Sequence, residues 1–249
     1  EVTVPDLHAG LLAWGKESGE DYDINIAKKR YFECLSDVIN RIGTRKFKKI
    51  FFVPLGDLLH IDNNNQTTTK GTAQDCDSRP AKMFDCTLDM IIGGIEMLAK
   101  IAPVEIPYIA GNHDRVLGYA LIKAAEKAFR NIKTVTFDTS PNPRKFRREG
   151  NVLIGWCHGD MKMNISEWLQ NEARNDFGNS KFAEVHAGHI HSQQTIEKNG
   201  MIVRYLPTIA SHSSWENEMG YSKNVKSLIS FVWNEQNGLR EMWFSTLKS

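Results

Sequence analysis

The chain has 249 residues, 41% hydrophobic and 24% charged, the balance of a folded globular protein and not of a disordered one. Lys and Arg number 31 against 30 Asp and Glu, a net charge of +1, so any nucleic-acid contact must come from a local patch and not from a bulk basic field. The most apolar stretch, residues 90–101, is interrupted by Gly93-Gly94 and Glu96 and is too short to span a bilayer, so no membrane partner is expected.

Residues 2–4 read as a strand already under way behind a first residue that is Glu, not Met, and the chain is expected to have been trimmed. Phe32, Leu35, Ile39 and Ile42 recur at helical spacing and predict a helix over 26–42. The run KIFFVP predicts a buried strand over 49–54. Phe84, Leu88, Ile91, Ile95 and Leu98 mark a second helix, followed by a strand over 105–110 and a helix over 117–129. Strand–helix alternation of this kind implies parallel strands joined by right-handed crossovers. Beyond Asn131 come a strand over 151–158, a helix over 165–177 and a strand over 182–187. Two hairpins close the chain: 193–198 with 201–207 around Asn199-Gly200, and 225–233 with 239–244 around Asn237-Gly238. The expected fold class is α/β, two packed sheets with helices outside, as one domain over 1–249. Cys34, Cys76, Cys86 and Cys157 form no CxxC pair and read as a reduced, cytoplasmic set.

Five short polar motifs sit at predicted strand ends: Asp6-Leu7-His8, Gly56-Asp57-Leu58-Leu59-His60, Gly111-Asn112-His113-Asp114, His158-Gly159-Asp160 and Gly188-His189-Ile190-His191. The carboxyl edge of an open α/β sheet is where sites form, so residues distant in sequence are delivered to one place. Carboxylate, amide oxygen and imidazole without thiolate suit hard-to-borderline divalent metals. Asp6 with His8, and His189 with His191, are two apart and share a face if the backbone is extended. Cys157 points to the opposite face from His158 and is set aside as a ligand. Any one of these motifs is weak evidence; the ordered series is strong.

The series DxH, GD, GNHD, H, GHxH resembles the calcineurin-like metallophosphoesterase superfamily over residues 6–191. The resemblance implies a four-layer α/β/β/α double-sheet sandwich with two divalent ions. One ion would be held by Asp6, His8, Asp57 and His191, the other by Asp57, Asn112, His158 and His189, with Asp57 bridging. His113 would be the catalytic histidine and Asp114 its orienting partner. In motif detail the chain is most similar to repair exonucleases of the SbcD type, in which a histidine at the position of His60 lies near the substrate phosphate. That implies a phosphodiesterase acting on DNA or RNA, with manganese favoured and iron, zinc or nickel also suited to the donors. The alternatives are a phosphatase or phosphodiesterase for a small nucleotide or phosphoprotein, and a non-catalytic scaffold, the use one retromer subunit makes of this fold. Residues 192–249 read as sheet-completing strands, not a capping domain.

Four other features have local readings. The polar stretch 61–80 is either a substrate loop or a disordered surface segment. Arg144, Lys145, Arg147 and Arg148 read as a solvated hairpin tip in preference to a phosphate-tracking patch. His212 reads as part of a surface turn with Trp215 in the core, and His186 as structural.

Overall fold

The apolar runs and amphipathic stretches take up strands and helices in the alternating order that their periodicity predicts. The computed structural model describes residues 1–221 and 224–247. The first half contains β1 (Val2–Val4), α1 (Gly15–Ser18), α2 (Ile24–Ile42), β2 (Ile50–Pro54), α3 (Pro80–Ala99), β3 (Val104–Pro107), α4 (Arg115–Ala128) and β4 (Val135–Asp138). The second contains β5 (Arg144–Glu149), β6 (Val152–Cys157), α5 (Ile165–Glu172), α6 (Arg174–Gly178), β7 (Phe182–Ala187), β8 (Gln194–Lys198), β9 (Met201–Tyr205), α7 (Ser214–Glu218), β10 (Ser227–Asn234) and β11 (Gly238–Thr246). One sheet runs β11-β10-β1-β2-β3-β4 and the other β5-β6-β7-β9-β8. Pairings β1–β2, β2–β3 and β3–β4 are parallel, as are β6–β7 and β7–β9, so the carboxyl ends of β1, β2 and β3 share one edge. No helix of the described residues is long and apolar enough to cross a membrane.

Among the described residues, three apolar cores separate four layers, beside a smaller cluster of Leu11, Ala13, Tyr22, Ala27 and Ala210. Alternate side chains of β2 divide between two of them: Ile50 and Phe52 pack with Tyr31, Leu35, Ile91, Ile95 and Leu121 of α2, α3 and α4. Phe51 and Val53 face the second sheet, where they meet Val152, Ile154 and Trp156 of β6. Leu153 and Cys157 point the other way, into a third core with Trp168 and Leu169 of α5. This is the α/β/β/α sandwich, and it turns Cys157 away from the inter-sheet side.

Several expectations need correction. The helix expected over 165–177 divides at Ala173, whose backbone leaves helical geometry. Strands β4 and β5 were not foreseen. The basic run Arg144–Arg148 is no hairpin tip: it forms β5, paired antiparallel with β6. Arg147 bonds Glu105 at 2.5 Å and Asp138 at 2.9 Å, and the buried Lys145 ammonium donates to the Tyr108 carbonyl at 2.6 Å. Carboxylates from β3 and β4 neutralise the run, and no local pattern reveals such partners.

Between the sheets lies a buried polar group, His186, as expected a structural residue. Its Nδ1–H donates to Glu1 Oε1 at 2.7 Å, the same oxygen accepts from Trp156 Nε1 at 2.7 Å, and Glu1 Oε2 accepts from Trp233 Nε1 at 2.9 Å. Burial opposes both charges, yet each partner offsets it: Glu1 holds the imidazole up at about 9, and His186 lowers the carboxyl. A raised imidazole pKa gives stability that is complete below about 6.5 and lost as pH rises through about 9; a lowered carboxyl pKa gives stability lost on acidification. Urea titrations should therefore show stability falling more steeply between pH 6.5 and 9 in the wild type than in His186→Ala, which keeps only the raised His158 and His191. That variant strands a buried carboxylate and should lose about 3–5 kcal/mol at pH 6. An unchanged urea midpoint would contradict the pair's assigned contribution.

Candidate metal centre

Each predicted site residue lies just past a parallel strand: Asp6 and His8 after β1, Asp57 and His60 after β2, Asn112, His113 and Asp114 after β3, His158 after β6, and His189 and His191 after β7. The pairs Asp6/His8 and His189/His191 do not share a face through extended backbone. Asp6 (φ 49°), His8 (φ 43°), Asp57 (φ 50°), His189 (φ 73°) and His191 (φ 53°) are all left-handed, five of the seven non-glycine residues in that region among those described. Such conformations cost about 1–3 kcal/mol each and persist where the surroundings over-determine them, characteristically at functional sites. Glycines make the close approaches possible. A Cβ on Gly188 would lie 2.5 Å from Asp6 Oδ2, and one on Gly111 would collide with the Asp57 carboxylate.

The donors converge in two sets. In one, ligand atoms of Asp6, His8 and His191 lie within 4.8 Å of one another, with His8 Nε2 3.1 Å from His191 Nε2 and His191 Nε2 3.6 Å from Asp6 Oδ1. In the other, Asp57, His158 and His189 do the same, with His158 Nε2 3.1 Å from Asp57 Oδ2 and 3.0 Å from Asn112 Oδ1. The Asp57 carboxylate also accepts the His113 backbone N–H through Oδ1 at 2.7 Å, which leaves Oδ2 to face the donors. Asp6, Asp57 and His158 are almost wholly buried.

Buried carboxylates raise two of the imidazoles, while burial lowers His8 and His189. Burial works against a charged ring at His158 and His191, yet Asp57 beside the first, and Asp6 and Glu216 beside the second, push both up to about 10. Burial also opposes the Asp57 charge, but His158 holds its carboxyl well below the usual range. Two carboxylates, one amide oxygen and imidazole nitrogens in this spacing form a donor set that fits divalent cations of the borderline type.

His60 and His113 stand beside the donors. His60 Nδ1 is 3.2 Å from His8 Nδ1, and the His60 and His113 rings stack with centroids 5.3 Å apart. Burial, with His113 alongside, brings His60 down to about 3, so its ring is neutral. His113 Nδ1 lies 3.0 Å from the His60 carbonyl, to which it donates. Asp114 is not the residue that orients His113. It occupies the N-cap position of α4, and its side chain turns back so that Oδ2 accepts the Leu59 N–H at 3.0 Å. Burial and the Asp57 charge push the Asp114 carboxyl up to about 7.

Residues 61–80 form the wall of a cavity of about 550 Å³ over these donors, contributing Thr68, Lys70, Gln74 and Asp75. The Asp62 carboxylate accepts the Val116 and Leu117 N–H groups at 2.8 Å each, which ties this loop to the start of α4. The opposite wall is α7. Trp215 is not in the core; it is 59% exposed and lines the cavity, while His212 is buried, 3.3 Å from Lys226 Nζ and outside the donor sets. Sequence reasoning missed Glu216, which accepts from His191 Nδ1 at 2.6 Å. Ser213-x-x-Glu216 has the spacing of a capping box, a signal for the start of α7 but not for its proximity to His191.

No family model matches the chain, and no curated protein matches it either. Among solved structures it is similar to YfcE, a phosphoesterase from E. coli, at 13% identity over 97% of each chain with a TM-score of 0.47. It is similar to Vps29 from Entamoeba histolytica complexed with zinc, at 11% identity over 98% of each chain with a TM-score of 0.40. A predicted phosphoesterase from Streptococcus pneumoniae shares 11% identity over 98% of this chain and 95% of its own, with a TM-score of 0.37.

Proposed function

We propose that the protein is a phosphodiesterase dependent on two divalent cations, acting on nucleic acid from a strand end. The observation that carries this reading is the convergence of Asp6, His8 and His191, and of Asp57, Asn112, His158 and His189, beside two histidines that belong to neither set. Asp57 would be the ligand common to both cations, as the motif resemblance implies. When bound, such a pair polarises phosphoryl oxygens and supplies a nucleophile at neutral pH. The chain's own groups do the rest. His113 is fixed through Nδ1 by the His60 carbonyl, so its Nε2 is the atom left to hold a proton for the departing alkoxide. His60 lines the same cavity as a neutral hydrogen-bonding group for a phosphate oxygen. Manganese is the favoured cation by motif resemblance.

The cavity's bounds support an end-directed or small substrate. Residues 61–80 and α7 wall it on two sides, and its volume of about 550 Å³ is that of a small-ligand cleft. The exposed face of Trp215 offers a surface on which a base can stack. The same bounds favour, as a second reading, a phosphodiesterase for a small nucleotide. The test compares a bis-aryl phosphate, a mono-aryl phosphate and end-labelled DNA, each with manganese. Diester turnover above monoester turnover, with stepwise shortening of DNA, is expected. Diester turnover with inert DNA and RNA would select the small-nucleotide reading, and strong monoester turnover alone would overturn both.

A further inference from the structure

We infer that Glu216 is a positioning residue for the cation held by Asp6, His8 and His191, acting through the His191 ring. The inference rests on the reading of these residues as cation ligands. His191 lies beyond β7 with a left-handed backbone (φ 53°), so strand geometry does not set the direction of its ring. Glu216 does, from 25 residues further on, by accepting the Nδ1–H at 2.6 Å. That bond fixes the tautomer: with the proton on Nδ1, the Nε2 lone pair is aimed at the gap shared with His8 Nε2 and Asp6 Oδ1.

Glu216 is itself held. Its second oxygen accepts from the Ser213 backbone N–H at 2.7 Å and the Ser213 hydroxyl at 3.0 Å, while the Ser213 side chain accepts the Glu216 N–H at 3.2 Å. A capping box usually serves only the helix it starts. Here the same carboxylate has one oxygen on the cap and the other on a ligand ring, so a five-residue helix is fastened to the donor set. The side chains of both partners are about 15% exposed, which limits solvent competition for the bond.

The two donor sets are unequal in this respect. The corresponding nitrogen of His158, Nδ1, donates to the neutral Leu55 carbonyl at 3.1 Å, and that set carries Asn112 where the other carries Asp6. The effect of Glu216 should therefore fall on one cation and not on both. Carboxylate partners of ligating histidines are typically worth 10–100-fold in metal affinity.

The test is calorimetric titration of metal-free protein with manganese, for the wild type, Glu216→Gln and Ser213→Ala. Glu216→Gln can still complete the cap but removes the charge from His191; it should weaken one of two binding steps by about 10–100-fold and leave the other within about threefold. Ser213→Ala keeps the backbone N–H that holds the Glu216 carboxylate and leaves its bond to His191 intact, so it should change both steps by less than about threefold. Two wild-type steps in Glu216→Gln, or an equal loss in Ser213→Ala, would overturn the positioning role while leaving the metal reading intact. A wild-type protein that takes up no divalent cation would overturn both.

Discussion

His113→Ala is expected to retain both cations and to lose about 10²–10⁴-fold in turnover of a substrate whose leaving group is a sugar alkoxide. The alkoxide needs a proton as it departs, and the His113 ring is the group placed to hold one, with Nδ1 committed to the His60 carbonyl. An activated aryl oxide leaves without that proton, so the same variant should lose far less on an aryl ester. Comparing the two leaving groups separates proton donation from phosphate positioning: equal losses would mean that His113 only positions or stabilises charge. Metal content is the second readout. His113 also falls within 4.8 Å of ligand atoms of His8 and His60, a third cluster that could hold a cation. Loss of an ion from His113→Ala would put His113 in a ligand shell and overturn its assignment as proton donor.

The convergence of these residues was legible because three of the motifs follow directly on an apolar run of buried-strand type, and parallel topology carries strand ends to one edge. IFFVPLGD and NVLIGWCHGD announce β2 and β6 with a polar group attached, and Asp57 and His158 indeed meet across the two sheets at 3.1 Å. What local pattern could not show was direction. Asp114 adjoins His113 in sequence, but the start of α4 at Arg115 turns its side chain toward Leu59. Pairs two apart imply a shared face only in extended backbone, and the left-handed φ values of Asp6, His8, His189 and His191 come from packing between sheets that no short window contains. The same limit hid Glu216, which reaches His191 across the β8–β9 hairpin, and the acidic partners that make Arg147 part of a strand. Pairings over long sequence separations decide these cases, and they are fixed only once both sheets are assembled.

Asp57 carries the largest expected effect on the cations themselves. Asp57→Asn preserves size and the acceptor for the His113 N–H, so the turn after β2 should keep its shape. It removes the charge that holds His158 near 10 and the only carboxylate in the Asn112/His158/His189 set. If Asp57 bridges, elemental analysis of reconstituted protein should fall from two ions toward one or none, and the rise in melting temperature on adding metal should shrink with it. Turnover should drop by on the order of 10²–10³-fold or more, the scale of losing one charge-stabilising group in a site of this kind. Asn112→Ala is the matched comparison, because among the described residues its oxygen is placed against His158; it should release one ion and leave the Asp6/His8/His191 set loaded. The contrast between a shared and a private ligand is what distinguishes a bridged pair from two independent sites. Two tightly held ions in Asp57→Asn would show that the sites are independent, and a single ion in the wild type would remove the binuclear centre altogether.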